Sequence, residues 1–168
     1  MTMDNPARDT YVASYLDPAF DTSTPEGLAA LDAYARTRAL ADLAKVPLVE
    51  HTRPVLWRVR ALTAQERAIV VSNRTPPMAD YDAVRYAVIE RIEDAVVTPE
   101  GRVEGGRPTL LARDKASGLA TAEALAAEMD IAGGAWIDEM GGVIRQRTDM
   151  HPRRLLPFRL PPRVVDLR

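Results

Sequence analysis

The sequence predicts an α+β fold: a mostly helical body of about four to five helices, a small antiparallel β element and an extended arm at each end. Several segments repeat apolar residues at spacings of three and four, as on one buried face of a helix. Segment 54–60 instead alternates apolar and polar residues, as a half-buried strand does. The two ends follow neither pattern. We therefore assign 1–24 and 151–168 to the arms and 25–150 to a compact body.

The first helix of the body begins after Thr24. Thr24 is a typical N-cap residue, and Pro25 suits the first helical position because its missing N–H would be unpaired there anyway. Residues at helical spacing then form one stripe: Leu28, Leu31, Ala35, Ala39 and Leu43. Pro47 cannot continue a helix. The pattern predicts a helix over about 25–44.

A strand and a capped helix follow. The inward face of the strand over 54–60 consists of Val55, Trp57 and Val59. Thr63 and Glu66 then form a capping box, in which each side chain accepts a hydrogen bond from the other residue's backbone N–H. This pattern predicts a helix over about 64–72.

The next segments predict one long helix and a hairpin. A helix over about 79–94 would present one apolar face, made of Tyr81, Val84, Val88 and Ile92 and widened by Ile89. Residues 95–103 predict a short hairpin with its turn at 99–101, Pro-Glu-Gly. A second apolar fragment follows at 109–112.

Two helices close the body. The first starts near 117 and has the stripe Leu119, Ala122, Leu125, Ala126 and Met129. The glycine pair at 133–134 breaks it. The last helix, over about 136–148, buries Trp136, Ile137, Met140, Val143 and Ile144. The glycine pair at 141–142 costs roughly 1 kcal/mol per residue relative to alanine, so we interpret it as a point where another backbone packs closely.

Charge is distributed unevenly along the chain. Residues 1–150 contain 17 basic and 23 acidic residues, a net charge of −6, whereas 151–168 contain five arginines and one acid, Asp166. An acidic body disfavours nucleic acid as a partner, because such binding depends on neutralising phosphates. The basic end instead indicates contact with an acidic protein surface, its own or a neighbour's, or a solvated charge cluster. We expect no membrane partner, because the chain has no long apolar stretch and no signal-peptide pattern.

The sequence contains no pattern typical of catalysis or metal binding. Cysteine is absent, and neither His51 nor His151 has metal-ligand spacing. No serine lies in a G-x-S-x-G motif, and no glycine-rich phosphate loop is present. The clustered carboxylates favour helix-surface ion pairs: Glu90, Glu93, Asp94, Asp138 and Glu139. We therefore expect no catalytic residue, cofactor, metal or small-molecule substrate.

The arms carry the residues that we expect to bind a partner. Prolines limit the backbone freedom that binding would remove, large apolar residues supply burial, and arginines pair with acids. The expected contacts are Tyr11, Tyr15 and Phe20 in the N-terminal arm and Arg153, Arg154, Leu155, Leu156, Phe158, Arg159, Leu160 and Arg163 in the C-terminal arm.

Two segments resemble small tail-assembly proteins of tailed bacteriophages. Residues 53–66, RPVLWRVRALTAQE, resemble their opening strand followed by T/S-x-x-E at a helix start. Residues 136–145, WIDEMGGVIR, are similar to their closing helix, an apolar-acid-acid-apolar-Gly pattern. The resemblance covers about 54–150 and implies a small phage morphogenesis or virion protein. The basic end departs from that family, whose endings are generally acidic or polar.

These observations lead to one main hypothesis and two alternatives. The main hypothesis is a non-enzymatic structural or assembly subunit of a tailed-phage particle, in its tail, neck or capsid-associated parts. Its partners would be other virion proteins or copies of itself, in the virion or in the host cytoplasm during assembly. The alternatives are a transient tail assembly chaperone that is not retained in the virion, and a small bacterial adaptor or regulatory domain whose tail docks on its own body.

Overall fold

The α+β class is confirmed by the computed structural model, which describes residues 9–72 and 76–149. Within these ranges the chain forms six helices and six strands. In chain order the elements are β1 (Asp9–Ala13), α1 (Pro25–Thr37), α2 (Leu40–Leu43), β2 (Leu56–Arg60), α3 (Ala64–Ser72), α4 (Pro76–Ala87), β3 (Val88–Glu93), β4 (Val96–Val97), β5 (Val103–Glu104), β6 (Arg107–Leu110), α5 (Ala122–Ala132) and α6 (Trp136–Asp149).

A four-stranded antiparallel sheet in the order β1-β2-β3-β6 forms the centre of the fold. The strands β4 and β5 pair separately as the expected hairpin. In the main sheet Val12 lies opposite Trp57, and Arg58 lies opposite Glu90. The sheet is larger than the sequence predicted, because it includes a strand from the expected N-terminal arm and another from the expected long helix.

Helices cover both faces of this sheet, and each face has its own core. Trp57 and Val59 of β2 face the larger core, which α3, α4, α5 and α6 complete. Trp57 and Trp136 meet there with ring centroids 5.5 Å apart. Leu56 faces the second core, to which α1 and α2 contribute Leu31, Tyr34 and Leu43. The alternation that predicted β2 therefore separates two apolar layers.

The predicted helix over 79–94 is wrong after residue 87. The chain is helical in α4 and then continues as strand β3. Val59 pairs with Val88 but Arg58 pairs with Glu90, so Ile89 is an extra residue, a β-bulge. Val88 and Ile92 consequently lie in different cores, although their spacing had placed them on one helical face.

The first helix also ends earlier than predicted. It stops at Thr37, and α2 begins at Leu40, because Arg38 adopts a left-handed conformation with φ 54°. The N–H of Arg38 donates to the Tyr34 carbonyl at 2.7 Å, which closes α1 as a C-cap. The continuous apolar stripe thus spans two helices joined by a turn.

The capped helix and the final helix agree with the sequence. The Glu66 N–H donates to the Thr63 hydroxyl at 3.1 Å, and the Thr63 N–H donates to the Glu66 carboxylate at 2.9 Å. The five expected apolar residues of α6 are all buried. A Cβ added to Gly141 would lie 2.6 Å from the Asp80 Cβ on α4, which confirms one close approach. Gly142 has no such neighbour within 4 Å.

Residues 9–24 belong to the body rather than to a separate arm. β1 is hydrogen-bonded along β2, and the Tyr34 hydroxyl both accepts from the Ala13 N–H at 2.9 Å and donates to the Ala13 carbonyl at 3.3 Å. This segment is extended as predicted, but it binds its own chain. The predicted C-terminal arm lies outside the described residues.

Candidate protein-binding site

The structure separates the three aromatic residues expected to bind a partner. Phe20 is 5% exposed and packs in the second core, where it also bridges to Leu48. Tyr11 is half-buried against the same core. Tyr15 is 43% exposed, with the Arg38 guanidinium 5.9 Å from its ring centroid. Phe20 and Tyr11 thus stabilise the fold, and Tyr15 remains available to a partner.

The expected C-terminal contacts, Arg153 to Arg163, lie outside the described residues. The structure does show where that segment leaves the body, because α6 ends at Asp149. Asp149 lies at the surface and pairs with Arg67 of α3 through an Nε–Oδ1 distance of 3.1 Å. Asp149, the last residue described before that segment, is therefore held beside α3.

A cleft opens at this exit, between α3 and the end of α6. Its volume is about 160 Å³, and its lining residues are Leu62, Arg67, Val70, Val71, Arg145, Thr148 and Asp149. Arg67, Val70 and Val71 share one helical face because they are three and four positions apart. Leu62 and Val70 are buried, whereas Val71 is 57% exposed at the mouth. The cleft therefore has an apolar floor that opens to the surface.

Most polar groups around the α3–α6 cleft are paired within the body, although the buried Nε of Arg145 has no hydrogen-bond partner among the described residues. The Thr148 hydroxyl accepts from the Leu62 N–H at 2.9 Å and donates to the Ile144 carbonyl at 2.8 Å. Arg145 pairs with Asp80 at 2.7 Å. A cavity of about 150 Å³ with apolar walls is large enough for one benzene ring. The cleft therefore fits one large apolar side chain better than a charged group.

A second depression is lined by residues 48–53 and by Asp94. It encloses about 480 Å³, and three apolar side chains near it are exposed: Leu48, Val49 and Val96. The backbone is left-handed at His51 (φ 63°) and Asp94 (φ 60°). Asp94 pairs with Arg107 at 2.7 Å. This depression is broad and polar, and it contains no feature that selects a particular ligand.

The carboxylates that the sequence placed on a helix surface instead stabilise the sheet. Glu90 pairs across strands with Arg58 at 3.1 Å. Glu93 accepts from Arg91 at 2.9 Å and from Arg107 at 3.4 Å. The helix-surface pairs expected from the sequence are replaced by pairs across strands, except that Arg91 and Glu93 lie in the same strand, β3. Asp138 is exposed at the start of α6.

Glu139 makes a polar cluster that the sequence did not indicate. Its carboxylate accepts from the Ser14 hydroxyl at 2.6 Å, from the Tyr15 N–H at 2.9 Å and from Arg38 Nη1 at 2.8 Å. Burial raises the pKa of the adjacent Tyr34 hydroxyl, although Ala13 and Arg38 act against this shift. The cluster joins the segment after β1 to both α1 and α6, so its role is structural.

Two classes of feature are absent from the described part of the chain. Residues 9–72 and 76–149 hold no group of three or more histidines, aspartates and glutamates arranged to bind a metal ion. None of the helices described here has the length and apolar character needed to cross a bilayer. The α3–α6 cleft is the candidate site that the end of α6 itself lines, and Leu62, Val70 and Val71 give it an apolar part.

Comparison of this chain with protein-family models, curated proteins and solved structures found no match. A functional proposal therefore depends on two things: the described geometry, and the resemblance of residues 53–66 and 136–145.

Proposed function

We propose that this protein is a non-enzymatic structural or assembly subunit of a tailed-bacteriophage particle, which holds a neighbouring subunit through its C-terminal segment. One observation carries the proposal. The last helix of an acidic body ends at the surface at Asp149, and five arginines and several large apolar residues follow directly. The resemblance of 53–66 and 136–145 to phage tail-assembly proteins supplies the kind of particle.

Burial of apolar side chains would provide most of the affinity. Each large apolar side chain that is fully buried contributes roughly 1.5–3 kcal/mol. Three or four of the C-terminal apolar residues would therefore outweigh much of the cost of ordering the segment. The four prolines at 152, 157, 161 and 162 lower that cost, since their φ angles are already restricted.

Arginines would set the position of the segment on the neighbour. A second copy of this chain offers exposed carboxylates, such as Glu50 with its side chain 86% exposed. Arginine can bind a carboxylate through two parallel hydrogen bonds. Exposed pairs of this kind are screened by salt, so binding through them should weaken as ionic strength rises.

Removal of residues 152–168 tests the proposal. Particles would be purified from the native source carrying either the full chain or the truncated chain, and both chains would be quantified by mass spectrometry. Circular dichroism and thermal melting of the purified truncated chain would show whether the body still folds. We expect a folded body that is depleted at least about tenfold from particles, which corresponds to a loss of about 1.4 kcal/mol or more in binding.

The possible results of this experiment distinguish the proposed function from its two alternatives. A truncated chain that enters particles at the normal ratio contradicts the proposal. If the full chain is absent from finished particles but accompanies an unassembled tail subunit, the protein is a transient chaperone. If it accompanies neither, it is a separate adaptor or regulatory domain.

A further inference from the structure

We infer that the C-terminal segment is anchored at its base: in the free chain, Leu155 or Leu156 occupies the α3–α6 cleft of the same molecule. This inference concerns the isolated protein and goes beyond the proposed function, since it applies whether or not the rest of the segment binds a neighbour. It assigns an occupant to an apolar cleft that the body leaves open.

The position of the cleft supports this occupant. Asp149, the last described residue, itself lines the cleft and is tied to Arg67. Leu155 is six positions after Asp149, and a chain of that length spans at most roughly 20 Å. A reversal of direction needs about four residues. The first large apolar residues after α6, apart from Met150, can therefore return to the cleft.

The size and chemistry of the cleft also suit a leucine side chain. A volume of about 160 Å³ suits one leucine side chain, and the buried side chains of Leu62 and Val70 provide its floor. Val71, 57% exposed at the mouth, would be covered by the same contact. The cleft's own charges are already paired, so the arginines at 153 and 154 would remain outside it.

The same chain is a better source of the leucine than a second copy. A tether of about six residues gives an effective concentration in the millimolar range, far above the micromolar concentration of free protein in solution. An anchored base would leave Phe158, Arg159, Leu160 and Arg163 for a neighbour. It would also reduce the length of chain that must be ordered when the neighbour binds.

Engineered cysteine pairs test this anchoring, because the natural chain contains no cysteine. Val71→Cys would be combined with Leu155→Cys in one full-length variant and with Leu156→Cys in another. Ile69→Cys, at a position that is 41% exposed on the same helix but does not line the cleft, replaces Val71→Cys in matched controls. Disulfide formation at micromolar protein would be followed by peptide mass spectrometry. We expect at least one Val71 pair to close within the chain at least about tenfold faster than its control, since an unbound tether gives both positions similar effective concentrations.

Equal rates of disulfide formation for the Val71→Cys and Ile69→Cys variants would overturn the inference. Disulfides that mainly join isotopically labelled and unlabelled copies would also overturn it, in favour of a second molecule as the donor. A cysteine-free measurement gives an independent check: Val71→Gln should speed tryptic cleavage after Arg153 and Arg154 several-fold, whereas Ile69→Gln should not. These experiments use the isolated protein, so their failure leaves the particle-assembly proposal intact, and the reverse also holds.

Discussion

The indole Nε1 of Trp57 donates a hydrogen bond to the Glu128 carboxylate at 2.9 Å, inside the larger core. The other oxygen of Glu128 accepts from Arg91 Nη1 at 2.6 Å. Glu128 is 4% exposed, so a single buried carboxylate fastens α5 to both β2 and β3. Removing this carboxylate leaves the buried Trp57 indole without an acceptor and Arg91 with Glu93 alone.

Glu128→Ala should therefore destabilise the fold strongly. We expect the free energy of unfolding to fall by about 3–5 kcal/mol, because the buried Trp57 indole loses its acceptor and Arg91 retains only Glu93. Glu128→Gln should cost less, since an amide oxygen can still accept from Trp57. Urea denaturation followed by tryptophan fluorescence measures both. Asp130→Ala, on the exposed face of the same helix, should change stability by no more than about 0.5 kcal/mol. Equal losses for Glu128→Ala and Asp130→Ala would contradict the role of Glu128.

Glu139→Ala should loosen the segment that follows β1. Ser14 is 4% exposed and would lose its acceptor, and Tyr15 and Arg38 would each lose one hydrogen bond. A cost of about 1–3 kcal/mol per unsatisfied buried group predicts much faster local opening. Hydrogen exchange should speed up over 9–15 before the rest of the sheet. Asp138→Ala is the control, since Asp138 is exposed beside it, and unchanged protection over 9–15 in Glu139→Ala would refute this account.

The comparison of sequence with structure is most informative at β3. The spacing of Val88 and Ile92 suits one face of a helix, whereas in β3 the bulge at Ile89 turns the two side chains to opposite faces of the sheet. Whether this segment forms a helix or a strand depends on its pairing with β2, in which Arg58 lies opposite Glu90 and Trp57 lies opposite Arg91. The spacing of apolar residues within one segment gives no information about a pairing strand some 30 positions away in the chain. The strand was therefore missed for a physical reason, namely its dependence on non-local contacts.

Features that depend on nearby residues were predicted correctly. The Thr63–Glu66 capping box needs four consecutive residues, and it forms as expected. Sequence reasoning also found the buried face of α6. It missed Glu128, although a carboxylate three positions after Leu125 on an otherwise apolar stripe is a usable signal of a buried ion pair. The α3–α6 cleft could not be predicted, because it depends on how two distant helices pack.

Glu66 should make stability depend on pH in the acid range. Its carboxylate binds Arg60 through two contacts of 2.7 and 2.9 Å. Burial acts to raise the pKa of Glu66, but the hydrogen bonds from Arg60 and Thr63 outweigh it and hold the pKa below the usual value of 4.5. The ionised group therefore stabilises the fold above pH 4.5, and this contribution is lost as the pH falls through the folded-state pKa.

Glu66→Gln tests this dependence. The variant should be less stable than the natural chain at pH 7, and the difference should shrink as the pH is lowered from about 5 to 3. Urea denaturation at a series of pH values measures it. Glu123→Gln, at an exposed position in the first turn of α5, is the matched control and should change stability at pH 7 by no more than about 0.5 kcal/mol. A difference for Glu66→Gln that grows toward low pH would contradict the assigned direction.

The glycine pair in α6 should respond oppositely to the same substitution. Alanine normally stabilises a helix interior by about 1 kcal/mol relative to glycine. At Gly142 nothing lies within 4 Å of the added Cβ, so Gly142→Ala should stabilise the protein by about 0.5–1 kcal/mol. At Gly141 the added Cβ would lie 2.6 Å from the Asp80 Cβ and 2.7 Å from its Cα, and the Asp80 backbone cannot move away without shifting α4. Overpacking of this kind costs roughly 1–3 kcal/mol, so Gly141→Ala should be destabilising despite its better helix propensity. Midpoints of urea denaturation for the two variants give the comparison, and a stabilised Gly141→Ala would show that α4 and α6 do not approach this closely.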